Sequence, residues 1–242
     1  MTAPTVVQWG GERARVGSWR GDAAIGQLSP VPGSPPPSAA FVHRCVATLR
    51  QQGFTRVVTG ALTTTEQAGF LKAGFAVSEH LHLLARDLRT LPPSPTALLR
   101  KAAQQDHPEV LEIDTLAFSP FWRLDPASLI EAVRATPHTR FRVACDADAD
   151  GSPAPGGRLI GYAIVGRSGR RGYLQRLAVR PGDESRGVGR ALILDGLRWL
   201  RRWRADEVLV NTQHENARAL ALYEQLGFAR QPSGLTVLGI DL

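Results

Sequence analysis

Lysine is nearly missing from this 242-residue chain: Lys72 and Lys101 are the two present, so the formal net charge of +7 is carried by arginine. Arginine bias of that kind follows from a GC-rich coding genome as readily as from polyanion binding. The densest cluster, Arg198, Arg201, Arg202 and Arg204, alternates with Trp199, Leu200 and Trp203 on an expected helix. It reads as a solvated face whose long stems lie along apolar surface. No nucleic-acid motif accompanies it, so nucleic acid is not an expected partner, although a basic surface attracts polyanions in general. Cysteine is equally scarce. Cys45 and Cys145 form no C-x-x-C pair and have no metal-ligand spacing, which excludes a disulfide framework and gives no reason to expect a metal. Both are read as reduced, buried small residues. There is no apolar run of about 18 residues to cross a membrane, and no charged-then-apolar leader. A cytoplasmic protein without a membrane partner is expected. Hydrophobic residues at 43% and charged residues at 21% leave an ordinary globular chain of one large or two modest domains.

Proline and glycine punctuate it at 30–37, at 92–95 and at 146–157. After the second break the periodicity predicts a strand at 96–103, helices at 107–118 and 126–136, and strands at 140–145, 158–165 and 172–179. A helix from 187 to about 203, a strand at 207–211, a helix at 216–226 and a strand at 235–242 follow. Asp125 is placed to cap the second helix, with proline in its first turn, and Gly227 to end the last one.

Two stretches carry the chemistry. Residues 177–192 (LAVRPGDESRGVGRAL) run from a strand through a glycine-containing turn into a helix. Backbone amides free at a helix start, with glycines admitting close approach, suit a pyrophosphate. Glycine pairs at helix starts are common, so this signal is weak by itself. Residues 216–228 (NARALALYEQLGF) place Asn216 and Tyr223 two helical turns apart on one face. By themselves they read equally as a helix cap and a half-buried core aromatic.

Together these stretches resemble the GNAT superfamily of acetyl-coenzyme A-dependent N-acyltransferases. Its cofactor signature is R/Q-x-x-G-x-G/A, and its later helix carries N-x-x-A-x-x-L-Y-x-x-x-G-F. Asn216, Ala219, Leu222, Tyr223, Gly227 and Phe228 match the second pattern. Glu184 departs from the first, putting a carboxylate where the family has arginine or glutamine; Arg186 and Arg190 supply compensating charge. The resemblance implies an α+β fold, a mixed and mainly antiparallel sheet flanked by helices. It also implies an enzyme that moves an acetyl group from acetyl-CoA to a primary amine, of a small molecule or a protein N-terminus, by direct attack. The alternative is a non-catalytic CoA-binding or regulatory module.

Carried over by residue, the backbone of Leu177 and Val179 would pair with the pantetheine arm, Ala178 between them belonging to the same cofactor-binding stretch. Ser185, Arg186, Gly187, Val188, Gly189 and Arg190 would cradle the pyrophosphate, Asn216 would help orient the cofactor, and Tyr223 would be the general acid for the departing thiolate. Phe118, Trp122 and Arg123 would line the acceptor pocket, though Phe118 and Trp122 read equally as core. No base is evident on the strand bearing Tyr173, Gln175 and Arg176; Asp125, Glu131, His138 and His214 are placed on the acceptor side but read first as caps or surface residues.

The first 90 residues faintly repeat the end of the chain. An offset of 151 carries Ala40 onto Ala191, Leu49 onto Leu200 and Val57 onto Val208; an offset of 153 carries Gly74 and Phe75 onto Gly227 and Phe228. In this register three prolines, Pro35, Pro36 and Pro37, replace the cradle amides, and Thr63 and Phe70 replace Asn216 and Tyr223. The organisation expected is a degenerate half-domain without a cofactor site at 1–90, a linker at 91–95 and a catalytic domain at 96–242. A built-in partner of this kind favours a monomer over a homodimer.

Overall fold

The computed structural model describes residues 5–93, 97–146 and 157–242; the expected loop at 147–156 and residues 94–96, including part of the linker and the start of the strand at 96–103, lie outside these. The chain divides into two compact units. The first is made of residues 1–83, 211–217 and 230–242, the second of 84–210 and 218–229. This differs from the linear cut at 91–95. The closing strand is apolar on both sides of its pleat and takes its partners from the first unit, because sheet pairing follows open strand edges rather than chain order.

In the first unit β1 (Thr5–Trp9), β2 (Glu12–Ser18) and β3 (Ile25–Pro30) form an antiparallel meander. Then come α1 (Ala39–Gln51), β4 (Arg56–Val58), α2 (Thr64–Lys72) and β5 (Ala76–Asp87), whose last residues enter the second unit. β4 runs parallel to β3. Apolar residues at helical spacing on α1 (Phe41, Val42, Cys45 and Leu49) meet Phe70, Phe75 and Leu28 in one core. Burial, aided by the charge of Glu12, raises the Cys45 thiol to about 11, as suits an inert packing residue.

The second unit opens with β6 (Leu98–Lys101), α3 (His107–Ala117) and α4 (Pro126–Arg134), the last capped by Asp125, which accepts from the Ser128 amide at 2.8 Å. β7 (His138–Cys145), β8 (Leu159–Ser168) and β9 (Arg171–Val179) follow, then α5 (Val188–Arg202), β10 (Glu207–Gln213), α6 (Ala217–Gln225) and the short β11 (Ala229–Arg230). Within the unit the strand order is β10-β9-β8-β7-β6, antiparallel except for β10 with β9. β8 is buried from Leu159 to Gly166, the mark of a strand covered on both faces. One face carries Leu192, Leu197, Leu200 and Tyr223 from α5 and α6. The other carries Val110, Ile113 and Leu129 from α3 and α4.

The last strand, β12 (Leu235–Asp241), lies in the first unit between β4 and β5, antiparallel to both. The faint sequence repeat is also plain in three dimensions. The offset of 153 carries α2 onto α6 end to end. Gly74 (φ 91°) and Gly227 (φ 80°) both stand in the left-handed conformation that closes a helix. Phe75 donates its amide to the Phe70 carbonyl as Phe228 does to that of Tyr223.

Candidate acyl-transfer site

β9 is shaped by two irregularities. Its parallel pairing with β10 runs from Arg171 opposite Glu207 to Tyr173 opposite Leu209 and stops there. On the other side the register with β8 slips between Ile164 and Val165, so Gln175 has no opposite residue. A bulge of this kind bends and twists a strand. Leu177, Ala178 and Val179 keep their partners Ala163, Tyr162 and Gly161 on β8, while their β10-facing edge lies beyond the end of that pairing. An edge of unpaired peptide groups is what an amide-bearing ligand can join as an added strand.

The turn after β9 leads straight to the start of α5. Gly182 (φ 94°), Ser185 (φ 63°) and Gly187 (φ 79°) all have positive φ; for Ser185 this conformation costs about 1–2 kcal/mol. Gly187 is the N-cap of α5, so no side chain caps the helix, and no acidic residue occupies its first turn. The amides of Val188, Gly189 and Arg190 therefore stand at a helix start with the dipole behind them. Gly189 has a packing reason too: a Cβ there would come 3.3 Å from Leu222 and 3.5 Å from Val179.

The charges of this turn are arranged otherwise than the sequence suggested. Arg186 is not a free compensating cation; it binds Asp183 at 2.6 Å and Asp146 at 3.0 Å. Arg158 binds the same two carboxylates. Glu184, the departure from the family signature, is matched by Arg218 from α6 at 2.5 Å, and Arg218 also donates to the Ser185 hydroxyl at 3.2 Å. Arg190 is near enough to Arg86 for its charge, after burial, to help lower that residue's pKa.

Tyr223 is 5% exposed and packs against Phe228 with ring centroids 5.7 Å apart. Burial pushes its phenol upward and the charge of Arg176 opposes the shift, so the hydroxyl stays protonated at neutral pH. Asn216 belongs to the other unit, where its amide donates to the Gln213 carbonyl at 3.1 Å.

On the α3 and α4 side, Phe118 lies under the Arg176 guanidinium at 3.5 Å and Trp122 meets Phe121 edge to face at 5.1 Å. Arg123 spends its Nε on the Phe118 carbonyl at 3.2 Å. Of the four base candidates, Asp125 is the α4 cap and His138 stacks on Trp203. His214 stacks on His82 in the other unit, and Glu131 lies on α4. Sequence reading missed Asp114, wholly buried and bonded to Arg176 and Tyr162. Its signal was available: with Val110 and Ile113 it falls on the apolar stripe of α3. Among the described residues no cluster of His, Cys, Asp or Glu is fit to hold a metal ion, and no helix is long and apolar enough to cross a membrane.

The chain resembles known proteins in sequence and in fold. The model of the acetyltransferase (GNAT) family matches residues 107–228. A mycothiol acetyltransferase of Amycolatopsis mediterranei is 32% identical over 136 residues, covering 52% of this chain and 44% of the relative. A mycothiol acetyltransferase of Thermobispora bispora is 28% identical over 247 residues, covering 87% and 78%. The chain thus spans less than half of the first relative's length. Among solved structures, a tandem GNAT protein from the clavulanic acid biosynthesis pathway aligns with a TM-score of 0.66 and 15% identity, covering 98% of this chain and 81% of that one. A GCN5-related N-acetyltransferase from Sphaerobacter thermophilus gives 0.61 and 16%, covering 96% and 76%. The structures share the fold, and the family model spans half of the sequence, including residues 185–190 and Tyr223: the chain belongs to the acetyltransferase (GNAT) family.

Proposed function

We propose that the chain transfers an acetyl group from acetyl-CoA to the primary amine of a small molecule. The observation that carries this reading is the open edge of β9 leading into the uncapped start of α5. Peptide groups for a pantetheine arm and amides for a pyrophosphate then lie in the order in which coenzyme A presents its parts. The neutral amine attacks the acetyl carbonyl, the nitrogen–carbon bond forms, and the carbon–sulfur bond breaks. Amides on the β10-facing edge of β9, those of Leu177 and Val179, polarise the carbonyl; Tyr223 gives its proton to the sulfur, and the proton released by the attacking nitrogen restores the phenol. Ser185, Arg186, Gly187, Val188, Gly189 and Arg190 form the cradle, Arg186 through its backbone. Asn216 joins them on its motif match, and Phe118, Trp122 and Arg123 lie toward the acceptor. The relatives named mycothiol acetyltransferases favour a small-molecule acceptor over a protein N-terminus. Incubation with acetyl-CoA and a panel of amines, followed by release of free thiol, tests the activity; no release above background with any amine would exclude it.

The first unit serves as a partner without a cofactor site. The start of α1, which corresponds to the cradle, is capped by Ser38, whose hydroxyl accepts from the Phe41 amide at 3.3 Å. The Glu12 carboxylate accepts from the Ser38 amide and, at 3.0 Å, from its hydroxyl. An internal anion thus sits where a pyrophosphate would need amides, beside three prolines that offer none. Calorimetric titration of the chain with acetyl-CoA is expected to saturate at about one equivalent, since this start of α1 is already capped; two equivalents would reinstate a second site.

A further inference from the structure

Arg176 follows the bulge on β9. Its side chain is 10% exposed, and Asp114, facing it from α3, is 0% exposed. The Nε donates to Asp114 Oδ2 at 2.7 Å and the Nη2 to Oδ1 at 2.9 Å, the two-pronged geometry that fixes a guanidinium most firmly. Asp114 also accepts from the Tyr162 hydroxyl and, at 2.7 Å, from the Leu124 amide. With four donors its lone pairs are filled, so it serves as a holder and not as a base.

Arg176 in turn holds the connection between α3 and α4. Its Nη2 donates to the Trp122 carbonyl at 2.6 Å, and its guanidinium carbon lies 3.5 Å over the Phe118 ring. Leu124, a little farther on, is tied to the same carboxylate. One charge pair therefore pins both Phe118 and Trp122. The third nitrogen, Nη1, has no hydrogen bond among the described residues. The field of the guanidinium also reaches the Tyr223 phenol, where it counters the effect of burial.

A buried ion pair is seldom the most stable way to fill a core, since apolar residues of like volume often do as well or better. A use beyond packing accounts for keeping one where β9 meets the connection between α3 and α4. We propose that Arg176, anchored by Asp114, is a positioning residue of the acyl transfer, holding residues 118–122 against β9 on the acceptor side of the site. This rests on the acetyl-transfer reading. When the carbon–sulfur bond breaks and the Tyr223 proton passes to sulfur, a phenolate is left until it takes the proton released by the attacking nitrogen; the charge of Arg176, whose field reaches the phenol, favours it. Because Asp114 neutralises the pair at longer range, a cationic amine is not driven away as it enters.

The test uses the full chain, acetyl-CoA and an amine from the panel that is acetylated; the parent's own turnover, measured first, tests the activity reading separately. Arg176→Lys keeps the charge but cannot bridge Asp114 and the Trp122 carbonyl. It is expected to retain acetyl-CoA affinity and melting temperature, while the amine KM rises and kcat falls by about tenfold. Arg176→Gln combined with Asp114→Asn removes both charges without stranding either. It is expected to lose about 10²-fold in kcat/KM, with partial recovery on adding guanidinium ion at concentrations that do not unfold the chain. A double variant that folds and keeps the parent's kcat and amine KM overturns the proposal. So does a loss shared equally by acetyl-CoA affinity and turnover, the result expected of general loosening.

Discussion

Tyr223→Phe is expected to lower kcat by about 10²–10⁴-fold, the usual range for removing a general acid, while acetyl-CoA binds as before. The ring is buried and packs on Phe228, and phenylalanine keeps that packing. The same helix position in the first unit is already Phe70, set edge to face against Phe75 at 5.2 Å, so the surrounding architecture accepts the change. The two readouts therefore separate. Steady-state kinetics with a turned-over amine should show the loss, and calorimetry with acetyl-CoA should show none. A kcat equal to the parent's would remove Tyr223 from the chemistry and leave the departing thiolate to be protonated by water.

Gly69→Ala is expected to destabilise the first unit although it replaces glycine by the best helix former. In an exposed helix interior that change would gain about 1 kcal/mol. Here a Cβ at Gly69 would overlap the carbonyl oxygen of Pro37 and come 2.9 Å from its carbonyl carbon. The obstacle is backbone, in a stretch stiffened by three prolines, so it cannot yield as a side chain would. Overpacking typically costs about 1–3 kcal/mol, which outweighs the propensity gain. Urea unfolding monitored by circular dichroism should show a lower midpoint. A midpoint raised above the parent's would mean that the proline segment moves aside freely.

The C-terminal elements were largely legible because each had a strong local cause. Asp125 and Pro126 start α4, Gly227 ends α6, and a long apolar run marks β8. The repeat was legible through Gly74 and Phe75, since a left-handed glycine followed by a buried aromatic closes a helix in the same way twice. The place of β12 was not legible. Its residues read as a strand, but which edge a strand joins depends on distant partners. Charge pairing was also hidden. Sequence gave Arg186 as a free cation and Glu184 as an obstacle, whereas Asp183 engages the first and Arg218 neutralises the second. Ion pairs across separate loops leave no periodic trace. Asp114 left one, a carboxylate on an apolar stripe, and it leads to Arg176.

β12 supplies the pairing between β4 and β5, yet every other strand among the described residues precedes it. On the ribosome the first unit therefore cannot close its sheet when its own helices emerge. It must wait with two strand edges bare while the whole second unit is made, a long-range closure that slows assembly and exposes edges to wrong partners. A chain built in this way couples the completion of its first unit to the synthesis of its second.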